Sequence, residues 1–240
     1  MDARTYGNHL RRDGFALAHA AEGHFDSRVA SCPDWNVGDL VWHTGGVHSF
    51  WEQIAARRLN DPHDVRPPEP PDDARLLEWF RQGVERLAET LGATDPATEV
   101  WTWAPQRNVA FIQRRMAHET AVHRWDAQAA VGAPGAIDPD LAVDGIDEFL
   151  DFFLGADPER LGGAGESIHL HSTDAPGEWT VRVEGGRRSV ERAHDKGDAG
   201  VRATASDLLL LLWRRVDASQ LEVFGDRGAL DRFLDRADLE

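Results

Sequence analysis

Glu119 and His123 stand where a helical repeat calls for apolar residues. Around RRMAHETAVHRWDAQ (114–128), the stripe Ile112, Met116, Glu119, His123, Ala127 advances by four, three, four and four residues. Residues four apart differ by about 40° around a helix, so the carboxylate and the imidazole project together from one face. A carboxylate taken out of water costs several kcal/mol unless it is paired or bound to a metal, so Glu119 needs a partner. Two solutions are open on this helix. One is an ion pair, with His123⁺ or with Arg115 four residues earlier. The other is a divalent metal ion. A zinc-protease reading fails on spacing: His118 and His123 lie five apart, not the four of H-E-x-x-H, and point about 140° apart. His118 is expected at the surface or behind the ligands.

A second helix offers a third donor. His43 falls between Leu40 and Val47 at steps of three and four, on the stripe that faces a bundle interior. A lone histidine there is ordinarily a satisfied core residue. With Glu119 and His123 it completes a set of two nitrogens and one oxygen from two helices, leaving an ion one open position. Zinc suits that donor mixture best, and nickel, cobalt or iron fit it too. Asp126 is expected either to hydrogen-bond a ligand imidazole or to solvate its helix. Of the nine tryptophans, Trp35, Trp42, Trp51, Trp101, Trp103 and Trp125 fall in the helical segments, as packing residues or as walls of an apolar pocket. His169 and His171 share one face of a strand, a spacing some metal sites use, but the sequence shows no further partner for them. Cys32 precedes Pro33 in a loop and is read as inert.

These residues need elements to hold them. The sequence reads as helices over 4–30, from Asn36 to Arg58, along Leu76, Phe80, Val84, Leu87 and Leu91, over 108–131, and over 139–154. Asn36 is a good N-cap, with Asp39 three residues on. The proline-rich stretch 60–73 is a loop. Beyond Gly162, Gly163 and Gly165 the texture changes. SIHLHST (167–173), EWTVRVEGG (178–186), GVRATA (200–205) and LEVFGD (221–226) read as strands. Ser206 is expected to cap a short apolar helix, and a terminal helix starts near 227. Helices first and α+β afterwards predict two domains, 1–156 and 157–240.

Bulk properties exclude other classes. The formal net charge of −16 repels phosphate backbones and anionic lipid, so neither nucleic acid nor membrane is the expected partner. The longest apolar run, Leu208 to Trp213, is too short to span a bilayer, the N-terminus lacks a signal-peptide core, and one cysteine permits no internal disulfide. The expectation is a cytoplasmic protein. No P-loop, G-x-S-x-G elbow or strand-borne G-x-G-x-x-G is present.

CPDWNVGDLVWHTGGVHSFW (32–51) and RRMAHETAVHRWDAQ (114–128) resemble the mycothiol-dependent maleylpyruvate isomerase family of actinobacteria, in its pattern DW-x-x-x-x-L-x-x-H followed by E-x-x-x-H-R-W-D. IDPDLAVDGIDEFL (137–150) is similar to the family's linking helix. The resemblance implies a DinB-like four-helix bundle followed by a smaller α+β domain similar to sterol-carrier folds. It places the family's metal ligands on His43, Glu119 and His123. It places the arginine of a G-R step on Arg215, with Arg214 where the family has glycine. It further implies mycothiol or a related thiol as cosubstrate, held on the metal as thiolate, and an isomerase or S-transferase acting on a small electrophile. Arg215 would steady a substrate carboxylate or enolate. The alternative is a non-catalytic metal- or ligand-binding protein on the same bundle. The sequence does not specify the oligomeric state.

Overall fold

The computed structural model describes residues 1–154 and 164–237. The chain divides into two compact units, 1–135 and 136–240. The expected boundary at 156/157 lies outside the described residues, as do Gly162 and Gly163. The division falls earlier because the helix at 139 packs with the second unit.

The first unit is four helices, α1 (Ala3–Ala21), α2 (Val37–Arg57), α3 (Asp73–Ala93) and α4 (Val109–Ala130). Side-chain caps set where each begins. Asp2 accepts from the Thr5 amide of α1, and Asn108 accepts from the Phe111 amide of α4. At α2, Asn36 and Asp39 form the full reciprocal capping box. His43 therefore lies two turns inside a helix whose start is pinned. Helix α1 is shorter than the 4–30 expected. It stops at Ala21, and Gly23 takes a left-handed φ of 73° as the chain turns into the loop that carries Ser31 and Cys32.

Leu10, Leu17, Leu40, Ile54, Phe80, Val84, Leu87, Ile112 and Met116 fill the interior of this unit, all nearly inaccessible. Burial of each such side chain is worth about 1.5–3 kcal/mol. Helix α2 packs on α3 and α4, and α1 on α3 and α4. A Cβ at Gly45 would come within 2.2 Å of the Trp79 ring, so glycine is what lets α2 and α3 approach at that level. Helix α4 is the central element, buried on nearly every side. His118 is accordingly buried, edge-on to Tyr6, which removes the surface half of the expectation.

The second unit opens with α5 (Pro139–Glu148), which continues as one π-helical turn over Phe149–Phe153. Five strands follow, in the order β3-β2-β1-β4-β5: β1 (Ala164–Ser172), β2 (Glu178–Glu184), β3 (Arg187–Glu191), β4 (Ala199–Ala203) and β5 (Glu222–Gly225). Only β1 and β4 pair in parallel. Strand β3 was not anticipated. Gly185 and Gly186, both at positive φ, turn the chain straight back, and RRSVE is the charged edge strand that results. Helix α6 (Ala205–Leu212) is capped by Thr204, not by Ser206. Ser206 is buried in its first turn, and its hydroxyl accepts from the Ile137 amide at 2.9 Å. Leu208 to Leu212 are all buried, so this short helix is core on every face. Helix α7 (Arg227–Leu234) ends the described fold. No helix among the described residues is long and apolar enough to cross a membrane.

Candidate metal centre

The bundle brings His43, Glu119 and His123 together, with one donor atom from each lying within 4.8 Å of the others. His123 Nε2 is 3.1 Å and His43 Nε2 3.7 Å from the same carboxylate oxygen, Glu119 Oε1. The two imidazole rings stand nearly perpendicular, 5.3 Å apart. Glu119 Oε2 faces the other way and accepts from Arg115 Nη2 at 2.5 Å. The carboxylate is thus divided between a cation on its own helix and the two histidines. Both pairings left open by the sequence coexist here, and Oε1 still points at the imidazoles.

The surroundings hold His123 in one orientation. Its Nδ1 is 3.0 Å from Asp126 Oδ2, and Asp126 Oδ1 accepts from the Ser31 hydroxyl at 2.7 Å. Asp126 is buried and therefore serves the His123 imidazole and does not solvate the helix. With Nδ1–H committed to Asp126, Nε2 is the atom available to an ion. Burial works against a charge on His123, but Glu119 and Asp126 outweigh it and raise its pKa to about 9. Burial likewise disfavours the Glu119 carboxylate, yet His123 and Arg115 hold its pKa well below the usual range. A cation arriving at Nε2 displaces one proton and finds an ionised carboxylate beside it.

The site is open on one side. The His43 side chain is 37% exposed, against 19% for Glu119, and the Trp35 ring lies 4.6 Å from His43 at a tilt of 45°. Beneath it lies His48, which the sequence reading missed. His48 is fully buried, and its Nε2 is 2.8 Å from the Thr120 hydroxyl. Thr120 gives its one proton to the Met116 carbonyl at 2.7 Å, so it accepts from His48 Nε2–H, and this defines the tautomer. Burial, with His123 and His43 adding to it and Glu119 opposing, lowers the His48 pKa to about 4. His48 is a neutral floor under the charged pair. The signal for it was present: Leu40, Thr44, His48 and Trp51 step by four, four and three, and all four are buried.

Arg215 belongs to the second unit, after α6. Its amide bonds the Leu210 carbonyl, and its guanidinium donates to the Trp213 carbonyl at 2.8 Å. Arg214, where the resemblance implied glycine, adopts a left-handed φ of 62°. A side-chain-bearing residue in this region costs about 1 kcal/mol. Cys32 is partly buried at the edge of the bundle core and carries no disulfide.

A helical bundle that gathers two imidazoles and a carboxylate within reach of one another, followed by a unit with a five-stranded sheet, defines the class of a two-unit bundle-plus-α+β protein. Comparison with known proteins gives that class a family. The model of the mycothiol maleylpyruvate isomerase N-terminal domain matches residues 9–128, and that of the MDMPI C-terminal domain matches residues 140–232. The chain belongs to the mycothiol maleylpyruvate isomerase family. A crystal structure of the mycothiol-dependent maleylpyruvate isomerase aligns over 93% of both chains, with a TM-score of 0.64 at 13% identity. A histidine-to-alanine mutant of that enzyme aligns over 93% of both chains, with a TM-score of 0.60 at 12% identity. The fold is shared. No curated protein matches the sequence significantly.

Proposed function

We propose that the protein is a metal-dependent thiol enzyme, an isomerase or S-transferase that uses mycothiol or a similar thiol on a small electrophilic substrate. The convergence of His43, Glu119 and His123 on one point carries this reading. Zinc fits the donor set best. A divalent ion bound there would hold the thiol of the cosubstrate as thiolate at neutral pH.

The chain's own residues have separable tasks in this reading. His43 and His123 present Nε2 atoms and Glu119 presents Oε1. Arg115 occupies the second carboxylate oxygen and keeps Glu119 from rotating away. Asp126, oriented by Ser31, fixes the His123 tautomer. Trp35 lies against the more exposed ligand. Arg215 is assigned to a substrate carboxylate or enolate, where its fixed charge would matter most as negative charge develops.

The decisive experiment supplies zinc, mycothiol and candidate electrophiles, and compares the wild type with His43→Ala and Glu119→Ala. Thiol-dependent turnover should be lost in both variants, and full turnover in both would reject the site. A second reading rests on the Arg115–Glu119–His123 pairing, which already satisfies the carboxylate without an ion. Elemental analysis of tag-free protein separates the two, since less than about a tenth of an equivalent of metal leaves only the salt-bridged bundle.

A further inference from the structure

The outer face of the sheet gathers a second set of donors. Along β1, Ile168 and Leu170 point into the core while His169 and His171 alternate to the other side. The β1–β2 register sets Glu178 directly opposite His171. The connection between β3 and β4 then brings in His194. That connection is tied down at both ends. The Thr180 hydroxyl donates to the Ala193 carbonyl at 3.2 Å, and the Asp198 carboxylate accepts from the Ser167 amide at 2.8 Å and its hydroxyl at 2.9 Å.

His194 Nδ1 lies 2.8 Å from Glu178 Oε1, and His171 Nδ1 hydrogen-bonds the same oxygen. The His169 ring is 5.1 Å from that of His194 and 6.0 Å from that of His171. Its Nε2 is buried and has no hydrogen-bond partner among the described residues. One donor atom from each of the four residues falls within 4.8 Å of the others.

We propose that His169, His171, Glu178 and His194 form a second divalent-metal site, built for a zinc-class ion in a closed set of three imidazoles and one carboxylate. Without an ion, two rings share one carboxylate oxygen and the buried Nε2 of the third has no hydrogen-bond partner among the described residues. A cation among them accepts a lone pair from every group. In tetrahedral zinc sites, bonds of about 2.0–2.1 Å put neighbouring donors about 3.4 Å apart. Reaching that spacing needs only side-chain rotation, and the His194 side chain, 75% exposed, has room for it. Hydrogen bonding from His194 keeps Glu178 ionised below the ordinary carboxylate range, and burial lowers the His169 pKa. Four protein ligands leave no position for a substrate, so the ion would fasten the β3–β4 connection to the sheet and take no part in catalysis.

This inference does not depend on the bundle site. The test titrates full-length, tag-free, chelator-stripped protein with Co2+, following the intense visible absorption of four-coordinate cobalt, and confirms stoichiometry with Zn2+ competition. The wild type should bind one more equivalent than His171→Ala/His194→Ala. His43→Ala/His123→Ala should retain one equivalent with the four-coordinate spectrum. If the bundle variant fails to fold, the first comparison decides alone, because the sheet variant alters only partly exposed side chains. A sheet variant that binds as much metal as the wild type overturns the proposal, as does a wild type that binds none. A single equivalent that disappears with His171 and His194 upholds this site and rejects the bundle one.

Discussion

In the bundle, the carboxylate is paired before any ion arrives. Glu119 takes a buried arginine on one oxygen and a charged histidine on the other, and Asp126 and Ser31 hold that histidine in place. On the sheet, Glu178 takes two histidines on one oxygen, and the buried Nε2 of a third imidazole has no hydrogen-bond partner among the described residues. The helical trio is deep, pre-paired and one donor short of a full shell. The sheet quartet is shallow, under-satisfied and complete. An ion would keep a vacant face in the first case and act as a structural tie in the second. The difference follows from the supports. Two helices bring few residues to a point but surround them with core, whereas adjacent strands bring several residues to a face that water still reaches.

The largest contrast is expected in stability without metal. Glu119→Ala removes the carboxylate that pairs with both the Arg115 guanidinium, whose side chain is 6% exposed, and a charged His123. Removing one partner of a buried pair costs about 3–5 kcal/mol. His171→Ala/His194→Ala removes partly exposed pairs and should cost under about 1 kcal/mol. Urea unfolding in chelator measures both. Equal losses would mean that the two clusters are supported alike.

Next in size is the contribution of Asp126. Asp126→Asn keeps the shape but offers His123 Nδ1 a poorer acceptor, so zinc affinity at the bundle should fall about 10- to 100-fold. Affinity at the sheet should not change. Competition with a chromophoric chelator reads both sites, and an unchanged bundle affinity would deny Asp126 its orienting role.

How far the site could be read from sequence follows from the same contrast. Glu119 and His123 were readable because a helix repeats locally, and two polar residues at consecutive stripe positions break a pattern that Ile112 and Met116 establish. Side-chain direction across the bundle was less readable. His118 and His48 were misplaced or missed because α4 is buried on most sides, and α2 along a stripe next to the one assumed, so a one-faced reading misjudges them. The sheet cluster was half visible as His169 and His171. Its other half depends on register and on a connection that follows the unanticipated strand β3. Pairings between strands distant in sequence leave no periodic trace.

The third expectation concerns pH. In metal-free protein, folded His123 keeps its proton to about pH 9, whereas an unfolded histidine loses it near 6.5. The stability this pairing provides is complete below 6.5 and is lost as pH rises toward 9. Folded His48 stays neutral to about pH 4 while the unfolded chain protonates near 6.5, so its contribution is lost as pH falls through that interval. The chelated protein should therefore be most stable near pH 6.5 and lose stability on each side. Urea midpoints across pH test this. A flat profile between 6.5 and 9 would break the Glu119–His123 pairing on which the contrast with the sheet is built.

The smallest effect should come from Ser31. Its hydroxyl donates to Asp126 Oδ1 while His123 uses Oδ2, so it acts on the ligand through one intermediary. Ser31→Ala removes a single hydrogen bond to a charged group and leaves the remaining bond to His123 in place. The loss should be about 1.5 kcal/mol at most, or about tenfold in zinc affinity. The effects of Ser31→Ala and Asp126→Asn should also be less than additive, because both changes weaken one chain of contacts. Measuring the double variant by the same chelator competition separates a relay from two independent supports. Full additivity would show that Ser31 stabilises the loop on its own account, and the trio would then owe its order to the helices and to Asp126 alone.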